Sequence, residues 1–169
     1  MKVIKKQKQH YVDNQEFLAA IIAYKKKVFT AAVKEVPELL DMDADEQFVF
    51  LKTWKSENKP RVGNYIGSCF LKIATHLSYR PNFINYMYKD DMVCDGIENC
   101  VQYINNFNPE KSKNPFAYFT QIIHYAFLRR IQKEKKQLEI KTKIIERSGY
   151  EEVFTVDGDM TGTSSDYNQ

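Results

Sequence analysis

Asn114 and Pro115 open a stretch in which neither glycine nor proline recurs until Gly149. An asparagine that can cap, followed by a proline whose ring already sets φ for a first turn, starts a helix, and nothing downstream stops it. The pattern therefore predicts one long helix from about 115 through a basic stretch, with fraying or bending expected past Glu139. No alternating strand pattern and no internal repeat occurs elsewhere, so the fold class is all-α.

The remaining helices follow from periodicity and breakers. Asp13 and Glu16 stand at the spacing of a capping box, and Phe17, Ile21, Tyr24 and Val28 then recur at helical intervals, which predicts a helix over about 14–35. Pro37 and the acidic stretch 41–45 break it. Phe48, Leu51 and Trp54 suggest a shorter second helix, and 56–60 is a loop. Ile66, Phe70, Ile73 and Leu77 form one stripe of a third helix ending before Pro81, which could itself open a short helical segment through Tyr88. Asp90 and Asp91 start another helix to about Asn106, and Asn108-Pro109 makes a turn.

The length suits one globular unit with tails. The organisation expected is a basic N-terminal tail over 1–12, a helical domain over 13–147 and an acidic tail over 148–169. Residues 151–169 hold five carboxylates and no Lys or Arg, are poor in apolar side chains, and are expected to stay disordered because burial cannot offset the entropy of ordering. With a total of +3, everything before that tail carries +8, which suits a polyanionic partner without proving one. No apolar run approaches a membrane span and no secretory h-region follows Met1, so a cytoplasmic location is expected. Cys69, Cys94 and Cys100 include no C-x-x-C pair and are expected to be buried free thiols.

Two helices bear surfaces that could do more than pack. In the helix from Asp90, Val93, Ile97, Val101 and Ile104 are expected to form the apolar stripe, with Asp91, Asp95 and Glu98 on another face. That acidic face reads either as a solvated surface complementing the helix N-terminus or as a dock for a basic partner. In the long helix, Thr120, His124, Phe127, Leu128 and Ile131 are expected to form the core stripe, while Phe116, Tyr118, Phe119, Ile122, Ile123 and Tyr125 add apolar surface around the cylinder. Aromatics followed by Arg129, Arg130, Lys133, Lys135 and Lys136 offer rings for bases and cations for phosphates, the requirements of single-stranded DNA binding. A helix buried on several sides with a solvated basic end satisfies the same residues.

Asp91-Met-Val-Cys-Asp-Gly96, Phe107-Asn-Pro-Glu110, Phe116-Ala-Tyr-Phe-Thr120 and Leu128-Arg-Arg-Ile131 occur in the order and spacing of sigma region 2, apart from about one extra residue near Ser112. Asp95-Gly-Ile-Glu98, Asn105-Asn-Phe107, Lys113-Asn-Pro115, Ala117-Tyr118 and Arg130-Ile131 resemble, within that family, the late-transcription sigma factors of T-even-type bacteriophages. Tyr11-Val12 and Ala20-Ile-Ile22 extend the resemblance, which covers about 11–147 and is most specific over 91–136. It implies a compact helical region-2-like domain with its core at about 89–136.

The resemblance further implies a noncatalytic initiation subunit with no cofactor and no metal, acting in the infected bacterial host cell. Asp91, Cys94, Asp95 and Glu98 would face the clamp helices of the host RNA polymerase largest subunit, with Cys94 standing where primary sigma factors usually have glutamine. Phe116, Tyr118, Phe119, Ile122, Ile123 and Tyr125 would open the −10 element of an A·T-rich late promoter and hold its nontemplate strand. Ile122 and Ile123 replace paired tryptophans, leaving Tyr118, Phe119 or Tyr125 to stack. Arg129, Arg130, Lys133 and Lys136 would contact phosphates. No −35 reader follows in 132–169, so a separate phage coactivator is an implied partner. Ser164–Gln169 lacks the apolar pair with which the phage factors reach the DNA sliding clamp. The alternative carried beside this reading is a helical polymerase-binding regulator, antagonist or adaptor, that does not open promoters.

His10, His76 and His124 lie far apart in sequence, and Gly63, Gly67 and Gly96 do not have the spacing of a phosphate loop. Neither metal chemistry nor nucleotide hydrolysis is expected from these residues.

Overall fold

The computed structural model describes residues 11–148. The proposed basic tail falls almost wholly outside them, as do the acidic tail and its last six residues. Five α-helices occur among the described residues: α1 (Asn14–Glu35), α2 (Ala44–Thr53), α3 (Asn64–Ser78), α4 (Lys89–Tyr103) and α5 (Pro115–Ser148). Short 3-10 turns cover Pro37–Leu40 and Ile104–Asn106, no strand is present among the described residues, and the fold is all-α. None of these helices is long and apolar enough to cross a membrane.

Two compact units divide the chain, one ending at Leu128 and one beginning at Arg129. The division falls inside the stretch expected as a single domain. In the second unit the described residues are the 129–148 segment of α5, and from Gln132 onward all but Glu134 are exposed. Its apolar side chains Leu138, Ile140, Ile144 and Ile145 are exposed, so its own backbone bonds and i,i+4 pairs such as Lys143 with Glu139 at 2.6 Å hold the helix.

The first unit is built around α1, whose Phe17, Ile21, Tyr24, Val28 and Ala32 are buried one turn apart. Each large apolar side chain among them removes surface worth about 1.5–3 kcal/mol on burial. Asp13 caps the helix by accepting from the backbone N–H of Gln15 and Glu16, but the reciprocal half of the expected box is missing. Glu16 instead accepts from the Tyr65 hydroxyl at 3.3 Å. The complete capping box lies one helix later. Asp43 accepts from Glu46 N at 2.8 Å and Glu46 returns the bond to Asp43 N at 3.2 Å, so the stretch read as a breaker also starts α2.

α3 buries Ile66, Phe70, Ile73 and Leu77 as expected. Between α3 and α4, residues 81–88 form turns rather than the expected helical segment. Phe83 and Ile84 both donate to the Arg80 carbonyl and Tyr86 donates to Phe83, but these bonds do not continue into a helical ladder. α4 tightens into a 3-10 turn at Ile104. Lys25 holds that exit, donating to the carbonyls of Asn105 at 3.1 Å and Phe107 at 2.6 Å. Burial, with the nearby Lys52 charge, pulls the Lys25 ammonium down to about 8.

Asn114 caps α5 through Ala117 N at 3.0 Å, as the sequence pattern requires. Asn14 clasps the same start, accepting from Phe116 N at 3.2 Å and donating to the Lys113 carbonyl at 3.3 Å. Tyr11 and Val12, assigned to the tail by sequence, belong to the packed unit. Val12 is buried and the Tyr11 ring sits 4.4 Å from His76 and 5.7 Å from Phe116.

Candidate functional site

The acidic face of α4 comes from its spacing and from what lies behind it. Asp91, Cys94, Asp95 and Glu98 stand at i, i+3, i+4 and i+7, so the backbone places them on one face. Asp91, Cys94 and Glu98 are exposed and Asp95 is half-buried. Cys94 thus departs from the expected buried thiol, whereas Cys69 and Cys100 are buried. Burial pushes the Cys100 thiol well above its ordinary range, so it stays protonated.

The buried stripe of α4 is Met92, Gly96 and Cys100, continuing to Ile104. It is rotated by about one residue from the expected stripe: Val93 and Ile97 are half-buried and Val101 is 43% exposed. Close approach explains the rotation. A Cβ on Gly96 would lie 3.0 Å from Ile123 Cγ2 and 3.3 Å from Phe127 Cε1, so any side chain there would require those two side chains to give way. Small residues carry little hydrophobic signal, and the stripe they form is hard to see in a pattern of large ones.

The same contact changes the reading of α5. Phe119 and Ile123, expected on the DNA face, are 0% exposed and belong to the core. The Phe119 ring packs against Phe70 at 4.8 Å, Tyr118 at 5.1 Å, Phe17 at 5.7 Å and Phe107 at 6.0 Å. Neither side chain reaches the surface while this packing holds. Phe119, Ile123, Ala126 and Phe127 form the buried stripe; Thr120 and His124 are half-buried and Leu128 is exposed. His124 packs edge-on to Phe83 at 5.5 Å and Tyr125 at 6.0 Å, a structural setting.

Of the expected aromatic set, Phe116, Tyr118 and Ile122 are half-buried and Tyr125 is 51% exposed. Tyr118, Ile122 and Tyr125 share a face at i, i+4 and i+7, making the ring of Tyr125 the most available stacking platform there. Burial raises the Tyr118 hydroxyl above its ordinary range, keeping it a neutral donor. Gln121, exposed between them, is an amide that sequence reasoning passed over. Its signal was only its place at i+3 from Tyr118 and i−4 from Tyr125.

In the second unit, Arg129, Lys133 and Lys136 are exposed. Arg130 is half-buried and donates through Nη1 to Glu134 Oε1 at 3.3 Å, so part of its charge is already balanced. Among the described residues, no group of three or more His, Cys, Asp or Glu is placed to hold a metal. The α4 face offers carboxylates, and α5 offers a tyrosine ring, an amide and cations.

Compared with known protein families and with curated proteins, the chain matches no family model and no curated protein.

Proposed function

We propose that the chain is a sigma-type, noncatalytic initiation factor of phage late transcription. It docks on the core RNA polymerase of a bacterial host, at the clamp helices, and directs opening of an A·T-rich −10 element. The observation that carries this reading is the α4 face of Asp91, Cys94, Asp95 and Glu98, backed by a glycine contact that fixes α4 against the first turns of α5. The ordered series of sigma-like motifs lies in the same two helices. Tyr125, Tyr118, Ile122 and Phe116 hold the nontemplate strand, with Tyr125 as the stacking ring. Arg129, Lys133 and Lys136 contribute phosphate contacts, with Arg130 a weaker contributor because Glu134 shares its charge. Melting is easiest at A·T-rich steps, where unstacking and unpairing cost least. A separate phage coactivator is a further partner in this reading.

Burial of Phe119 and Ile123 favours one second reading, a polymerase-binding regulator that never opens DNA, because it removes two side chains from the melting surface. Permanganate reactivity of thymines separates the two. With host core polymerase, this protein and an A·T-rich late promoter, thymines of the −10 element should become reactive, and Tyr125→Ala should reduce that reactivity with the fold intact. Polymerase binding with no reactive thymine would select the regulator.

A further inference from the structure

A second cationic feature lies in the first unit. The α2–α3 connection and the C-terminal end of α4 enclose an open groove of about 810 Å³. Lys52, Lys55, Lys59 and Arg61 line it on one side, Gln102 and Tyr103 on the other, and no carboxylate contributes to it. Its walls are fixed: the Tyr24 hydroxyl donates to the Pro60 carbonyl at 3.2 Å, and Lys59 Nζ donates to the Trp54 carbonyl at 3.2 Å. Lys52 is partly engaged over the Phe48 ring at 4.4 Å. Lys55 and Arg61 are exposed and, among the described residues, neither is paired with a carboxylate. Gathering like charges in one concavity costs free energy unless an anion joins them, and burial together with the Lys55 charge already pulls the Lys59 ammonium below its ordinary value.

We infer that this groove binds a single nucleic-acid strand, its phosphates running along Lys55, Lys59 and Arg61 and a base stacking on the half-exposed ring of Tyr103. Cations in a row with one stacking ring and a neighbouring amide, Gln102, fit a backbone with a base beside it. An acidic peptide would need the cations but would leave the ring without a purpose. The four cations are scattered over ten positions of sequence and interrupted by Glu57, which hides them from a reading of charge runs.

Fluorescence anisotropy with the full chain and a labelled oligothymidine of about twelve nucleotides tests the assignment. The wild-type protein should bind with strong salt dependence. Lys55→Ala with Arg61→Ala should weaken binding about tenfold or more and flatten the slope of log K against log salt by about 1.4, roughly 0.7 for each lost contact. Tyr103→Ala should weaken it about fivefold or more, from the lost stack. Lys72→Ala, on the exposed side of α3 and outside the groove, should leave it unchanged. Circular dichroism checks that each variant keeps its helices. Wild-type affinity and salt slope in the Lys55/Arg61 variant would overturn the inference. So would saturation by ATP alone, lost in that variant, without oligonucleotide binding, since the groove would then serve a free nucleotide.

Discussion

Replacing Phe119 by alanine is expected to lower the unfolding free energy by about 3–5 kcal/mol, as for other fully buried phenylalanines. The ring is wholly enclosed and meets rings from α1, α3, α5 itself and the turn after α4: Phe17, Phe70, Tyr118 and Phe107. Because Phe17, Phe70 and Phe107 belong to separate elements, no single shift can close the space that truncation leaves. Both the transfer energy of the lost atoms and a cavity penalty therefore count. Against a total stability of about 5–15 kcal/mol for a domain, the loss removes a large fraction. Urea unfolding followed by helical circular dichroism should show a much lower midpoint with the slope unchanged. Tyr125→Ala gives the contrast: half its surface already meets solvent, so its midpoint should move by no more than about 0.5 kcal/mol in stability. Equal midpoints for Phe119→Ala and the wild type would contradict the packing that assigns Phe119 to the core rather than to DNA.

The second large effect concerns polymerase. Asp91→Lys combined with Glu98→Lys should weaken binding to host core polymerase by about 100-fold or more, because reversing two charges converts attraction to a basic partner into like-charge contact costing several kcal/mol. Both side chains are exposed and lie on the far side of α4 from Met92, Gly96 and Cys100, so the change leaves the core untouched. The local cost is small: Asp91 sits in the first turn, where its loss from the helix N-terminus is worth about 0.3–1 kcal/mol. Asp95 is retained because it is half-buried and its replacement would mix fold and interface. Co-sedimentation with core polymerase at two salt concentrations reads the effect, which should shrink as salt screens it. Retention equal to wild type would remove this face from the interface.

Helices were legible in the sequence wherever large apolar residues and strong breakers coincide. α1 begins and ends as its periodicity implies, α3 buries the four residues of its stripe, and the Asn114-Pro115 start of α5 is in place. The failures share a physical origin. In α4 two of the three buried positions, after Met92, are a glycine and a cysteine, so Val93, Ile97 and Val101 marked the wrong stripe. In α5 aromatic residues occur around the cylinder, and only the three-dimensional surroundings separate Phe119 and Ile123, enclosed on all sides, from Tyr125, which faces solvent. Turn-forming residues misled as well, since Asp43 reads as an interruption until Glu46 answers it across the first turn of α2. The acidic face was legible because charge at helical spacing needs no knowledge of neighbours. The groove cations were not, because folding alone brings Lys55, Lys59 and Arg61 opposite Tyr103.

The central claim, that this chain gives a bacterial polymerase the ability to start at A·T-rich late promoters, is tested most directly by run-off transcription. Host core polymerase, stripped of its own sigma factor, is mixed with a template bearing a TATA-like −10 element and no −35 element, with the protein added or omitted. A transcript of defined length should appear only when the protein is present, and should vanish with Asp91→Lys and Glu98→Lys. The same transcript level with and without the protein would contradict the assignment.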